Sequence, residues 1–264
     1  MGGVRSAGHL LVLGFALAFG TDSQAARKLS DAEALRTSQA AIGRTVGGVE
    51  LRLAGGETLT FEQLRGRPVL LSFVYTSCYH VCSGLTLRLR EAVKVARDAL
   101  GGDSFTVVTV GFDTPKDTPE RMRAYARERG AVMPGWYFAG ADAAAIERLA
   151  ATTGFTYFPS PKGFDHITQT TLVDAQGRIV LQVYGEDFLP PLVVEPLKKL
   201  VWGQNLDRRT VEGLVNRVKL FCTIYDPTSG RYRFDYSLIV NIVAGSLAFG
   251  IALAGIIAGL RNVR

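Results

Sequence analysis

The sequence has few histidines and few cysteines, three of each among its 264 residues. It has no internal repeat, and its net charge of +6 is mild and spread along the chain. No cluster of basic residues alternates with aromatic residues, so nucleic acid is not a natural partner. Long apolar runs are confined to two blocks, one near each end. The rest of the chain is long enough to form one domain with a substantial core.

The first apolar block, HLLVLGFALAFG, covers residues 9–20. Arg5 precedes it, and small residues follow with a plausible cleavage point after Ala25. A positive start, a short apolar run and small residues are typical of a secretory signal peptide, here residues 1–25. The alternative is an uncleaved anchor. Cleavage would remove His9 and leave two histidines in the mature chain.

The second apolar block covers residues 237–260, and Asn241 is its one strongly polar side chain. As a helix it would be about 35 Å long, enough to cross an apolar bilayer core of roughly 30 Å. We therefore expect a transmembrane helix at 237–260, a cytoplasmic tail at 261–264 and the lipid bilayer as a partner. The soluble part would then lie in the periplasm, tethered to the inner membrane by one C-terminal span. The charges that flank the block barely favour this orientation, so the orientation is assigned from the predicted signal peptide.

Between the two blocks, a polar, alanine-rich segment at 26–45 is interpreted as a linker or a loose helix. From residue 46 onward, strand patterns alternate with helix patterns, which predicts a thioredoxin-like α/β sandwich with an extra β-hairpin over 46–203. Thr118 and Pro119 are typical of a helix start. The predicted elements are short strands around a turn at 55–56, buried strands at 67–76 and 104–113, a strand at 135–140, helices at 83–100, from 118, at 142–154 and at 191–202, and a hairpin at 166–185 that turns at 175–177.

The stretch TSCYHVC, residues 76–82, lies where a central strand is predicted to give way to a helix. Open α/β sheets carry their sites at such strand ends. Cys78 and Cys82 are spaced i, i+4, which on a helix separates their Cβ atoms by about 5–6 Å, whereas a disulfide needs roughly 3.5–4.5 Å. This spacing favours two sulfurs that face one object, and the helix N-terminus favours the thiolate form. Soft thiolates bind copper(I), zinc or an iron–sulfur cluster. Because Cys78 precedes the helix, a structural or redox-active disulfide stays open.

Two histidines remain as candidate ligands in the mature chain. His166 is predicted to open the hairpin strand, where a histidine is most often solvated. His80 lies between the cysteines, but residues 78, 80 and 82 do not share one helix face. His80 could be an additional ligand, could lower the pKa of the thiolates, or could point to solvent.

Three blocks, GRPVLLSFVYTSCYHVC, GFDTPKDTPERMRAY and DHITQTTLVDAQGRIV, together resemble the Sco/SenC family. The resemblance covers about residues 46–202. It implies a membrane-tethered, thioredoxin-like copper protein of the periplasm or mitochondrial intermembrane space that helps to assemble the dinuclear copper site of cytochrome c oxidase. It also implies one copper ion per chain, as copper(I) and also copper(II), with Cys78, Cys82 and His166 as ligands.

The implied partners are an oxidase subunit that carries a copper site and a copper donor protein. The sequence departs from the family pattern at Tyr79, His80 and Ser83, and its expected membrane anchor is C-terminal rather than N-terminal. Asp113 and Asp117 match the second block and are interpreted as loop and helix-start groups, and Asp165 is interpreted as structural.

The third cysteine, Cys222, lies in a predicted amphipathic juxtamembrane segment at 204–236. It is interpreted as a small apolar residue, with a third redox or copper group as the alternative. Alternating aromatic residues at 232–236 suit a membrane interface. The apolar stripe that includes Cys222 consists of Val211, Leu214, Val215, Val218 and Cys222.

These features lead to one main hypothesis and its alternatives. The main hypothesis is a periplasmic copper chaperone for respiratory oxidase assembly. A thiol–disulfide oxidoreductase that reduces the cysteines of a copper-site client, with Cys78 and Cys82 as its redox pair, is the alternative, and a membrane-bound sensor is a third. The paired cysteines argue against a peroxidase.

Overall fold

Strands and helices alternate around one mixed seven-stranded sheet, and two further pairs of strands form separate small sheets. The computed structural model describes residues 30–78, 81–161, 163–203, 223–226, 229, 231–234 and 240–250. The strands are β1 (Glu50–Leu53), β2 (Thr58–Thr60), β3 (Val69–Val74), β4 (Thr106–Gly111), β5 (Trp136–Gly140), β6 (Tyr157–Ser160), β7 (Gly163–His166), β8 (Gln169–Val173), β9 (Ile179–Tyr184), β10 (Thr223–Asp226) and β11 (Arg231–Phe234). The helices are α1 (Asp31–Gln39), α2 (Val81–Leu100), α3 (Pro119–Glu128), α4 (Ala143–Thr153) and α5 (Pro191–Gly203).

The central sheet has seven strands in the order β2-β1-β5-β4-β3-β8-β9. Its middle three strands, β5, β4 and β3, run parallel, and the flanking strands pair with them in antiparallel fashion. Parallel neighbours require a long crossover, and helices α2 and α3 provide these connections. The mixed α/β architecture is therefore the one predicted from the sequence.

The two central strands are buried along their whole length. Every residue of β3 and of β4 is buried, as their continuous apolar runs predict. Two polar side chains in these strands are paired, because Ser72 and Thr109 share a hydrogen bond of 2.9 Å and the Trp136 indole N–H donates to Thr109 at 2.9 Å. These two hydroxyls are therefore buried with a hydrogen-bond partner.

Helix starts follow the local signals. The Thr118 hydroxyl accepts from the Arg121 backbone N–H at 3.3 Å, with Pro119 at the first helical position, so the predicted start of α3 is confirmed. Helix α4 ends at Gly154 in the left-handed conformation, with φ of 67°. A Cβ at this position would lie 2.5 Å from the Thr37 carbonyl oxygen, so only glycine lets α1 approach the end of α4 this closely.

The sequence predicts one hairpin in this part of the chain, at 166–185, whereas the structure has two, β6–β7 and β8–β9. Strands β8 and β9 form the predicted hairpin, and its turn at 174–177 is closed by a hydrogen bond from Gly177 N–H to the Asp174 carbonyl at 2.9 Å. His166 does not open this hairpin, because it ends β7, which pairs with β6 in a separate two-stranded sheet. Its cross-strand partner is Tyr157. The histidine is thus held by its own hairpin and is only half-buried.

The segment at 26–45, interpreted as a linker or a loose helix, contains helix α1, which packs on the domain. Ser38 on this helix is fully buried, and its hydroxyl donates to Gln169 at 2.8 Å and accepts from the Tyr184 hydroxyl at 3.0 Å. Residues 31–39 are therefore a docked helix rather than a linker, because these buried hydrogen bonds join them to β8 and β9.

The C-terminal part contains a hairpin of β10 and β11, in which Asp226 pairs with Arg231 across the predicted turn. Strand β10 lies within the predicted amphipathic juxtamembrane segment at 204–236. Residues 240–250 are helical and exposed. In the described part of the chain, no helix is both long and apolar enough to span a membrane. The predicted signal peptide, Cys222 and residues 251–264 lie outside the described residues.

We expect Ser38→Ala to lower the free energy of unfolding by about 1–3 kcal/mol, because Gln169 and Tyr184 would lose a buried partner. Thr37→Ala is the control, since the exposed Thr37 hydroxyl donates to the Glu33 carbonyl of the same helix. Loss of this hydroxyl should change the free energy of unfolding by less than about 0.5 kcal/mol. Urea unfolding of both variants measures the difference. Equal effects would show that α1 is not anchored through Ser38.

Candidate metal centre

The two cysteines lie where β3 gives way to α2, as predicted. Cys78 is in the loop after β3, and its backbone N–H donates to the Tyr75 carbonyl at 3.1 Å. Cys82 is in the first turn of α2, and its backbone N–H donates to the Cys78 sulfur at 3.4 Å. Both side chains are buried, with Cys82 only 1% exposed. The loop therefore turns both sulfurs inward, against the end of the sheet.

The two sulfurs are not joined by a disulfide. A hydrogen bond with Cys78, followed by burial, raises the pKa of the Cys82 thiol far above its usual range. The sequence predicts that the helix N-terminus favours the thiolate, and for Cys82 these two effects outweigh that influence. Cys82 therefore keeps its proton in the metal-free protein, and a metal that binds its sulfur must displace that proton.

The start of α2 is held from the side of α3. The Tyr125 hydroxyl donates to the Cys82 carbonyl at 2.8 Å, and the Thr86 hydroxyl donates to the same oxygen at 2.9 Å. The Arg129 side chain donates to Ser83 at 3.1 Å and lies over the Tyr125 ring. These contacts fix the backbone on the C-terminal side of Cys82 and leave its sulfur to face the sheet.

His166 lies at the edge of a cluster of aromatic rings. Its ring centroid is 5.5 Å from that of Phe112, 5.9 Å from that of Phe155 and 5.8 Å from that of Tyr75. Its Nδ1 is 3.1 Å from the Ile167 carbonyl, which can only accept, so Nδ1 carries the proton. In this tautomer Nε2 keeps its lone pair, and that is the state a metal ligand needs.

Tyr75 connects the cysteine loop to the strand that carries His166. Its hydroxyl is hydrogen-bonded to the Cys78 sulfur and to the backbone N–H of Phe164 in β7. Burial, followed by the bond with Cys78, raises the pKa of this hydroxyl, so it stays protonated and donates. The Tyr75 side chain therefore lies beside both Cys78 and His166.

The three predicted ligands do not form a closed metal site in this conformation. Among the described residues, no three Cys, His, Asp or Glu side chains are close enough together to hold a metal ion. The donor chemistry fits a soft metal, with two thiols and an imidazole whose Nε2 can coordinate. His80, the additional candidate, and its neighbour Tyr79 lie outside the described residues.

Asp117 holds the cysteine loop, a role that the sequence did not indicate. Its carboxylate accepts from the Thr76 backbone N–H at 2.9 Å, from the Thr76 hydroxyl at 2.7 Å and from the Asp113 backbone N–H at 2.9 Å. Burial raises the pKa of Asp117, although these three bonds act in the opposite direction. Gly111 leaves room for it, because a Cβ there would lie 2.5 Å from the Asp117 Cβ. Asp113 and Asp117 are thus loop and helix-start groups, as predicted, and Asp117 also ties that loop to the cysteines.

We expect Asp117→Asn to lower the free energy of unfolding by about 1–3 kcal/mol, because an amide would present N–H groups to one of the three donors. Asp165→Asn is the control, since Asp165 is exposed on β7 and the change should have an effect below about 0.5 kcal/mol. Urea unfolding of the reduced chain measures both. Equal stability of the Asp117→Asn variant and the unmodified chain would contradict the assigned role.

Comparisons with known proteins bear on the family and the fold of this chain. The family model described as SCO1/SenC matches residues 41–201. The SCO1 protein homolog of Bacillus subtilis (strain 168) is 23% identical over 141 residues, which are 51% of this chain and 71% of that protein. Bradyrhizobium japonicum ScoI with copper bound aligns with a TM-score of 0.50 and 24% identity, over 59% of this chain and 99% of that one.

BsSco, described as a member of the Sco family of cytochrome c oxidase assembly proteins, aligns with a TM-score of 0.54 and 17% identity, over 61% of this chain and 94% of that one. The two structural likenesses confirm the predicted thioredoxin-like fold. The resemblance found in the sequence blocks is confirmed by the family model, which covers more than half of the chain. The protein therefore belongs to the SCO1/SenC family.

Proposed function

We propose that this protein is a membrane-tethered periplasmic copper chaperone. It binds one copper(I) ion through Cys78, Cys82 and His166 and delivers it to the copper site of a respiratory cytochrome oxidase. A copper donor protein loads it, and copper is its cargo. The observation that carries the proposal is the reduced, buried Cys78–Cys82 pair, connected through Tyr75 to the strand of a histidine whose Nε2 can coordinate.

The ligand chemistry favours copper over zinc. Two thiolates and one imidazole match copper(I), whereas a structural zinc site uses about four ligands. Loading releases the proton of Cys82, and the histidine approaches the sulfurs to complete the set. Oxidation of the pair would remove both thiolates, so the redox state of the cysteines controls loading. ScoI of Bradyrhizobium japonicum, a structure with copper bound, supports this choice of metal.

The oxidase as client is supported by the family of BsSco, which is one of cytochrome c oxidase assembly proteins. The copper site of an oxidase subunit must itself be reduced before it can be loaded. A chain with a thiol pair is suited to this assembly, because the thiols can bind the copper ion and can also reduce a disulfide of the client.

A thiol–disulfide reductase activity is the second candidate function. The hydrogen bond from the Cys82 backbone N–H to the Cys78 sulfur, at 3.4 Å, favours it, because this bond holds the two cysteines next to each other. In that reaction the two thiols would reduce a client disulfide and become a disulfide themselves, with both protons passing to the client thiols. This reaction does not need His166, so variants of His166 separate the two functions.

We expect the reduced chain to bind one copper(I) ion in an anaerobic titration, and Cys78→Ser or Cys82→Ser to abolish tight binding because each removes a soft, charged ligand. His166→Ala should weaken binding, most visibly for copper(II), and His80→Ala should have a smaller effect. The control for the cysteine variants is Ser83→Ala, a change next to Cys82 that leaves both sulfurs in place. Undiminished affinity in the His166→Ala protein would contradict the proposed ligand set. Absence of tight copper(I) binding by the reduced, unmodified chain would leave the reductase as the better assignment.

The topology is a proposal that rests on the signal-peptide pattern at 1–25 and the uncharged block at 237–260. Alkaline phosphatase fused after residue 200 should be active, because that enzyme requires export. The same enzyme fused after Arg264 should be inactive, because the C-terminus lies inside. Activity in the second fusion alone would contradict the orientation.

A further inference from the structure

Tyr75 contacts each of the three residues proposed as copper ligands. Its carbonyl accepts the Cys78 backbone N–H at 3.1 Å, and its own backbone N–H donates to the Cys82 sulfur. Its ring meets the His166 ring edge-on, with centroids 5.8 Å apart and planes at 90°. The side chain is 6% exposed, so these contacts are sheltered from water.

The hydroxyl of Tyr75 has two partners on different elements. It is bonded to the Cys78 sulfur in the loop after β3 and to the Phe164 backbone N–H in β7. Phe164 is two residues before His166, and its ring packs against the Tyr75 ring with centroids 5.3 Å apart. One oxygen atom therefore joins the cysteine loop to the histidine strand.

Strand β7 is shaped around this phenol. Gly163 has a φ of 120°, and a Cβ there would lie 3.0 Å from the Tyr75 hydroxyl oxygen and 3.1 Å from its ring. Any other residue at 163 would be strained and would push the phenol away. The glycine lets the backbone of β7 come close to the hydroxyl, which is what the bond to Phe164 requires.

We propose that the Tyr75 hydroxyl is the positioning group that sets the distance between the His166 strand and the Cys78–Cys82 pair. The effect of this positioning on copper affinity rests on the proposed function. Because the ligands do not form a closed site in the metal-free chain, the imidazole must be brought to the sulfurs on loading. A strand already hydrogen-bonded to Cys78 loses less conformational entropy when copper binds than an untethered strand would, and this raises the copper affinity. The hydroxyl can also donate to the Cys78 sulfur when that sulfur coordinates copper, and such a hydrogen bond alters how strongly the sulfur donates electrons to the metal.

The test uses Tyr75→Phe, which removes the hydroxyl and keeps the ring. Tyr157→Phe is the matched control. Tyr157 is in the same ring cluster, directly opposite His166, and in the described part of the chain its hydroxyl has no bond to either cysteine. In the reduced, metal-free, full-length chain, hydrogen exchange of the Phe164 amide should be about three- to tenfold faster in Tyr75→Phe. The control should leave this rate unchanged within about twofold.

Copper is the second readout. In competition with a copper(I) chelator, Tyr75→Phe should bind about tenfold more weakly than the unmodified chain, while Tyr157→Phe should match it. The absorption band of the copper(II) form that arises from sulfur should move to longer wavelength in Tyr75→Phe alone. Loss of a hydrogen bond makes the sulfur a better electron donor, and a role limited to stability would not move this band.

The outcomes separate the proposal from the proposed function. Unchanged exchange at Phe164 in Tyr75→Phe overturns the proposal, whatever the copper result. Faster exchange with unchanged copper affinity and spectrum also overturns it, since the hydroxyl would then stabilise β7 without acting on the site. If the unmodified chain binds no copper(I), the proposed function fails. Faster exchange at Phe164 would then still support Tyr75 as the group that positions the His166 strand.

Discussion

The parallel pairing of β3 and β4 is the constraint on which the site depends. Both strands are buried along their whole length, and they end level, with Val74 opposite Gly111. The pairing continues one residue further, since the Phe112 backbone N–H donates to the Val74 carbonyl at 3.0 Å. The loops that follow must therefore leave the sheet side by side. One loop contains the cysteines and the other contains Asp117, which is why a carboxylate 41 residues from Thr76 can hold the cysteine loop.

Burial of the thiols determines their chemistry. In water a thiol at a helix start would ionise readily, but here the bond to Cys78 and the surrounding core keep Cys82 protonated. A protonated Cys82 thiol is inexpensive to bury, whereas a Cys82 thiolate in the same place needs a cation next to it. A bound copper(I) ion would provide that charge in place of the proton. The core therefore disfavours a Cys82 thiolate that has no metal beside it.

Much of the fold could be predicted because its signals are local. The continuous apolar runs predicted β3 and β4, and Thr118 and Pro119 predicted the start of α3. The turn at Gly177 predicted the β8–β9 hairpin. Helix α1 was interpreted as a linker or a loose helix, because the segment is polar and only Ala34 and Ser38 of the helix are buried. The β6–β7 hairpin was missed because its strands are four residues long and lack an alternating pattern, and Pro159 lies within β6.

The candidate site was less accessible to sequence reasoning. The spacing of Cys78 and Cys82 was visible, but His166 was selected only through the family resemblance, since nothing in its local sequence marks a ligand. The contacts of Tyr75 and Asp117 with the cysteine loop were not indicated by the sequence, because these contacts are made across the end of the sheet rather than within a motif. A tyrosine directly after a core strand is interpreted from the sequence as a packing residue, and its hydroxyl partners are visible only in the structure.

The central claim is that copper is held by two sulfurs of the loop and by a histidine from a distant hairpin. X-ray absorption at the copper edge of the reduced, loaded protein counts these atoms directly. We predict two sulfur ligands and one nitrogen ligand, with the nitrogen lost in His166→Ala and retained in His80→Ala. A nitrogen that survives in His166→Ala and disappears in His80→Ala would contradict the account, because the stretch CYHVC would then be the complete site.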